Sequence, residues 1–206
     1  MKKIAILCVL FLLISANTVI CSDVICSDEK SYVENLIKSK TEQILSIIRK
    51  RDINQKEKKQ KIFDIAKPLF DFTTMSKLTL GKKYWSKLTP EQQKRFVDLF
   101  VKRLRMVYLD RVDIYGNETI SFKPAIQKRK NLIYVPSTVT SKNEKFVVLY
   151  KFWKSPKGWK IYDVEVEGVS VVRTYRSQFT EIIKKKGIKG LFEELEKLTQ
   201  QLNYKS

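Results

Sequence analysis

The apolar residues of this chain change their spacing twice, and those two switches constrain the fold more than any single motif. From about Asp28 to Tyr115 they recur at helical spacing. From about Glu118 to Gly168 they alternate as in strands, and from Ser170 onward helical spacing returns. That order predicts an α+β domain, a meandering antiparallel sheet of about four strands between a helical N-terminal half and two closing helices.

Local signals place the elements. Val33, Ile37, Ile44 and Ile48 fall near one face of a first helix, with Leu36 and Leu45 beside them. The charge run "RKRDINQKEKKQK" (Arg49 to Lys61) reads as a solvated turn and helix face, with docking to an acidic partner as the alternative. A second helix buries Ile62, Phe63, Ile65 and Ala66, and Pro68 should end it. Asp71 can cap a short helix that Gly81 closes. Phe70, Phe72, Met75, Leu78 and Leu80 give that short helix more apolar surface than packing requires, which suggests a greasy cleft. Thr89, Pro90 and Gln92 form a capping box with proline at the first helical position. The helix they start carries a stripe of Phe96, Leu99, Phe100, Leu104, Val107, Tyr108 and Val112. "YGNE" (Tyr115 to Glu118) breaks it.

Four strands follow: "TISFKPA", "LIYVPSTVT", "KFVVLYKFWK" and "GWKIYDVEVEG". "SPKG" makes the last two a hairpin. In the third, Phe146, Val148, Tyr150 and Phe152 share one face, while Val147, Leu149 and Trp153 share the other, which implies cover on both sides. In the fourth, Tyr162, Val164 and Val166 alternate with Asp163, Glu165 and Glu167. Gly168 ends it, Ser170 can cap a helix to about Lys186, and Gly187 can stop that helix. A last helix runs from Leu191 to Leu202. On a helical wheel Val172, Arg176, Phe179 and Ile183 fall together. A buried guanidinium there needs an anion: an acid such as Asp163, or the phosphate of a bound ligand.

Absences narrow the chemistry. The chain has no histidine, which removes Ser-His-Asp and Cys-His sites and the HExxH zinc motif. Six glycines form no phosphate-cradling loop. No metal, cofactor or catalytic residue is expected, and catalysis would have to rest on Asp, Glu, Tyr, Lys or Ser, with Asp163 and Tyr150 as the candidate groups.

The N-terminus reads as a secretory signal over about residues 1–21: "MKK", then the apolar "IAILCVLFLLI", then small and polar residues. The rival is a retained anchor, since the apolar stretch runs on weakly to Ile20 and reaches only the short limit for a span. Cys21 and Cys26 lie in a tandem "VICSD" repeat, and could pair if both survive cleavage. Ile20 and Ile25 precede them where a lipid-anchored cysteine takes a small residue, which argues against lipidation. The net charge of +19 predicts anionic partners. For an exported chain these are membranes or acidic proteins, with no nucleic acid expected.

The blocks "FDFTTMSKLTLGKKYWSKLTPEQQKRFVDLF", "WKIYDVEVEGVSVVRTYRSQF" and "IIKKKGIKGLFEEL" together resemble the MlaC, or toluene-tolerance, family over about residues 33–200. The resemblance implies a twisted antiparallel sheet wrapped by helices, similar to NTF2-like and cystatin-like folds. It also implies a monomeric periplasmic phospholipid carrier. Its partners would be an outer-membrane lipoprotein/porin complex and an inner-membrane ABC transporter with an MCE-domain ring. Arg173 and Thr174 depart from the family pattern, where small or polar residues are usual.

On this reading residues 28–203 form one lipid-carrier domain, with a helical part (28–115), a sheet (118–168) and closing helices (170–203). The expected pocket wall is Phe72, Met75, Phe100, Leu104, Tyr108, Val148, Tyr150, Val164, Val166, Val172 and Phe179, each of which also fits an ordinary core position. Arg176 and Asp163 are the candidate head-group contact or structural pair. The competing readings are an NTF2-like enzyme and a cystatin-like module that binds an acidic envelope protein.

Overall fold

The computed structural model describes residues 20–109, 118–141 and 144–200, with side chains from Asp28 onward. The expected signal segment up to residue 19, Val112, Tyr115 to Asn117 of the "YGNE" break and Leu202 therefore fall outside it, as do the side chains of Cys21 and Cys26. Among the described residues no helix is long and apolar enough to cross a membrane.

The helical half comprises α1 (Ile20–Arg49), α2 (Gln55–Ala66), a 3-10 turn (Lys67–Leu69), α3 (Phe72–Leu80), α4 (Lys82–Trp85) and α5 (Pro90–Leu109). Three of these starts have a local cause. Asn54 Oδ1 accepts from the Glu57 amide at 2.9 Å to begin α2. Asp71 Oδ1 accepts from the Thr74 amide at 2.9 Å to begin α3. Before α5, the Gln92 amide donates to Thr89 Oγ1 at 3.3 Å and the Thr89 amide to Gln92 Oε1 at 3.0 Å, the reciprocal pair of a capping box. Pro68 sits inside the 3-10 turn and lacks the N–H that would continue α2.

The sheet has six strands rather than about four: β1 (Thr119–Phe122), β2 (Ile126–Arg129), β3 (Leu132–Ser141), β4 (Glu144–Ser155), β5 (Gly158–Val166) and β6 (Val169–Ser170). All pairings are antiparallel, in the order β1-β3-β4-β5-β6, with β2 also on β3. The two extra strands are short, and neither has enough residues to show an alternation in sequence. Helix α6 (Val171–Gln200) closes the fold. Ser170 Oγ caps it by accepting from the Arg173 amide at 3.1 Å. Gly187, at φ 69°, ψ 178°, breaks it in a region that side chains avoid.

Two cores result. Phe96, Phe100, Phe179, Leu191 and Leu195 lead the one formed by α3, α5 and α6. Val33 and Ile37 of α1 seal the other against Ile133, Val135, Phe152, Trp159 and Ile161.

The register of β5 changes the expected face of that strand. Lys151 pairs with Asp163, but Phe152 pairs with Ile161, so Tyr162 is an extra residue in a β-bulge. Ile161, Val164 and Val166 therefore share the helix-covered face. Tyr162 turns to the opposite face, where its hydroxyl lies 3.0 Å from that of Tyr134. Alternation alone had placed it beside Val164.

Candidate functional site

The helix-covered face of the sheet runs through Phe152, Tyr150 and Val148 on β4 and through Ile161, Val164 and Val166 on β5. Helix α1 fills the space over Phe152 and Ile161, but the space over Val148, Tyr150, Val164 and Val166 stays open. It forms an apolar cleft of about 310 Å³. Phe63 and Ala66 of α2, Phe70, Phe72 and Met75 around α3, and Val101, Leu104 and Tyr108 of α5 form its other wall, with Val171 from α6. Short elements explain the gap. The 3-10 turn and the four-residue α4 break the helical cover into short pieces, and the cleft lies between those pieces and the sheet.

Eight of the expected wall residues line this cleft: Phe72, Met75, Leu104, Tyr108, Val148, Tyr150, Val164 and Val166. Three do not. Phe100, Val172 and Phe179 are buried in the neighbouring core, where the Phe100 ring meets Tyr175 at 5.1 Å and Phe179 at 5.8 Å. Helical spacing put them on the inner face, and the ring packing of α5 on α6 consumes that face. Val171 lines the cleft where Val172 was expected. Phe63, Phe70 and Val101 also line it; Phe63 was expected only on the buried face of α2, Phe70 in the apolar excess around α3, and Val101 carried no signal.

The cleft is dry in character. Burial pushes the Tyr150 hydroxyl above its ordinary pKa, with the Ser137 hydroxyl pulling weakly the other way. Burial also raises Tyr108, helped by Tyr175. Both phenols are neutral at physiological pH. The lip carries exposed apolar residues: Tyr108 is 50% exposed, Val166 39% and Val169 62%. Two cations stand there. The Arg105 guanidinium lies 4.2 Å from the centre of the Phe63 ring and donates to Gln60 Oε1 at 3.0 Å. Lys67 Nζ lies 6.0 Å from the same ring.

Arg176 and Asp163 do not form the expected pair. Asp163 is buried on the other face of the sheet. It accepts from Lys151 Nζ at 3.1 Å and Ser170 Oγ at 2.8 Å on Oδ2, and from the Val172 amide at 3.1 Å on Oδ1. It therefore anchors the first turn of α6. Burial works against the Lys151 ammonium, but its bonds to Glu165 and Asp163 outweigh that and raise its pKa. Arg176 is exposed. It lines the same outer hollow as Asp163, yet its guanidinium packs over Gly81, where a Cβ would stand 3.4 Å from Nη2. The helical face tolerates Arg176 because Tyr175, at its other edge, takes the buried place. Asp163 and Tyr150 also fail to meet, since their strand positions face opposite ways. The acid and phenol proposed for an enzyme thus share no cavity.

The MlaC protein family matches residues 38–197. The chain belongs to the MlaC family. It is 30% identical to the toluene tolerance protein ttg2D of Pseudomonas putida over 121 residues, which is 58% of this chain and 56% of that protein. The chain thus matches about half the length of that curated relative. A phospholipid-binding protein from Ralstonia solanacearum, solved in complex with a phospholipid, superposes with a TM-score of 0.74 at 30% identity. The match covers 82% of this chain and 97% of that one. The fold is the expected MlaC-like one.

Proposed function

We propose that this protein binds phospholipid, holds the acyl chains in the cleft over Val148, Tyr150, Val164 and Val166, and carries the lipid across the periplasm. The observation that carries this reading is the cleft itself: an apolar space, walled by sheet and helices, in a chain whose similar Ralstonia structure contains a phospholipid. Two acyl chains bring about 30 methylenes, and at ~0.8 kcal/mol each their gross burial is on the order of 25 kcal/mol. Ordering costs remove much of this, but escape into water stays slow. The reading involves no catalytic step.

The cleft, at about 310 Å³, lies at the small end of the range for ligand pockets. A two-chain lipid therefore needs α2 and α5 to move away from the sheet, or its tails to run out past Val166 and Tyr108. Such widening would give partner complexes a means of controlling loading and release. The partners expected for this family role are an outer-membrane lipoprotein/porin complex and an inner-membrane ABC transporter with an MCE-domain ring. The +19 charge favours docking to acidic surfaces, and salt should weaken it. The secretory signal expected at residues 1–21 supports a periplasmic location.

Mass spectrometry of an organic extract of the purified protein, together with uptake from liposomes, tests the reading. We expect co-purified phospholipid at close to one molecule per chain. No lipid in the extract and no uptake would overturn the proposal.

A further inference from the structure

A larger hollow, of about 820 Å³, adjoins the cleft between α2, α5 and the end of α6. Arg105 and Leu109 line both spaces, so a ligand leaving the cleft past Arg105 enters this groove. The two differ in chemistry. The cleft is apolar, whereas the groove is lined by cations and anions together.

On α5 the groove side carries Asp98, Lys102 and Arg105 at spacings of four and three residues, which is one helical face. Asp98 and Lys102 are exposed, and neither makes a hydrogen bond or ion pair among the described residues. Arg105 is half-buried and held in place by the Phe63 ring and Gln60, with donors to spare. Across the groove, Arg95 and Glu196 already satisfy each other. Glu91, Lys94 and Lys59 complete the charged lining. Asp98 thus stands as an open anion one turn from an open cation, beside a fixed guanidinium at the mouth of an apolar cleft.

We propose that this groove receives the lipid head group, with the phosphate at Arg105 and Lys102, and that Asp98 favours a head group bearing an ammonium. This rests on the carrier reading above. Asp98 and Lys102 lie about 6 Å apart along the helix axis, so adjacent charges of one head group reach both. A phosphate with a neutral alcohol head satisfies Arg105 but leaves Asp98 without a partner. Exposed pairs are weak, and the expected preference is about two- to fivefold. The phosphate contact is stronger, and losing it should reduce loading about tenfold.

The full chain is incubated with vesicles of equal parts phosphatidylethanolamine and phosphatidylglycerol of matched tails, and bound lipid is quantified by mass spectrometry. The native protein should be enriched in phosphatidylethanolamine, and Asp98→Asn should bring the ratio to one by lowering the phosphatidylethanolamine bound. Arg105→Gln should lower loading of both lipids but leave uptake of uncharged diacylglycerol unchanged. Loading by the native protein with the same ratio in Asp98→Asn would overturn the head-group proposal and leave the carrier reading standing. A parallel loss of diacylglycerol in Arg105→Gln would overturn the phosphate contact by making Arg105 merely a wall. No loading of any lipid by the native protein would instead overturn the carrier reading.

Discussion

The helix-covered face of one sheet meets two fates along its length. At Phe152, Ile161, Ile133 and Val135 it is sealed by Val33 and Ile37 of α1. At Val148, Tyr150, Val164 and Val166 the same face opens into the cleft. The two halves share strands, alternation and residue types. The difference lies in what stands opposite them. The long α1 packs on one half, while residues of α2, α3 and α5 stand across an open space from the other. Apolar surface therefore becomes a core or a binding site according to the reach of the covering elements, not according to its own composition.

The sharpest way to break this comparison is truncation in the sealed half. Phe152→Ala should cost about 3–5 kcal/mol, because its ring is fully buried and the neighbours cannot collapse into the space. Chemical denaturation measures it. A smaller loss, equal to that in the cleft, would mean that the sealed half is loosely packed.

Val164→Ala, in the open half, should cost only about 1 kcal/mol in lipid-free protein, since the side chain already borders empty space. The same variant should lower lipid retention more visibly than stability, as followed by lipid extraction after dilution. A cost like that of Phe152→Ala would show the cleft to be closed in solution.

The smallest effect sharpens the contrast on the outer face. Arg176→Gln should change stability by less than about 0.5 kcal/mol, because the side chain is exposed and Asp163 has Lys151 instead. Thermal melting decides it, and a drop of several degrees would restore Arg176 as a strut.

Much of the architecture was legible because its signals are local. The Asp71 cap, the Thr89–Gln92 capping box, the Ser170 cap and the Gly187 break each arise within a few residues, and each is found where the sequence placed it. The strands of the sheet follow from alternation in the same way. The short β2 and β6 were missed because two to four residues carry no period. Tyr162 was misplaced because a bulge slips the register of a strand without a glycine to mark it.

The site was legible only in part, for a related reason. Periodicity tells which residues face inward, so Phe100, Val172 and Phe179 looked the same as Leu104, Val164 and Tyr150. Only the packing of α5 on α6 turned the first three into core, and only the gap over β4 and β5 left the others lining a cleft. Arg105 stood in the sequence as one of several cations on α5, and its place between two hollows depends on α2 presenting Phe63 and Gln60 to it. By itself the sequence determined which segments are helices and strands, which of their faces are apolar, and which chemistries lack the residues they require. These depend on steric preference and hydrogen bonding between near neighbours. The tertiary structure decided which apolar face stays open and which acid meets which cation. Those outcomes depend on distances between segments far apart in the chain, and no local pattern records them.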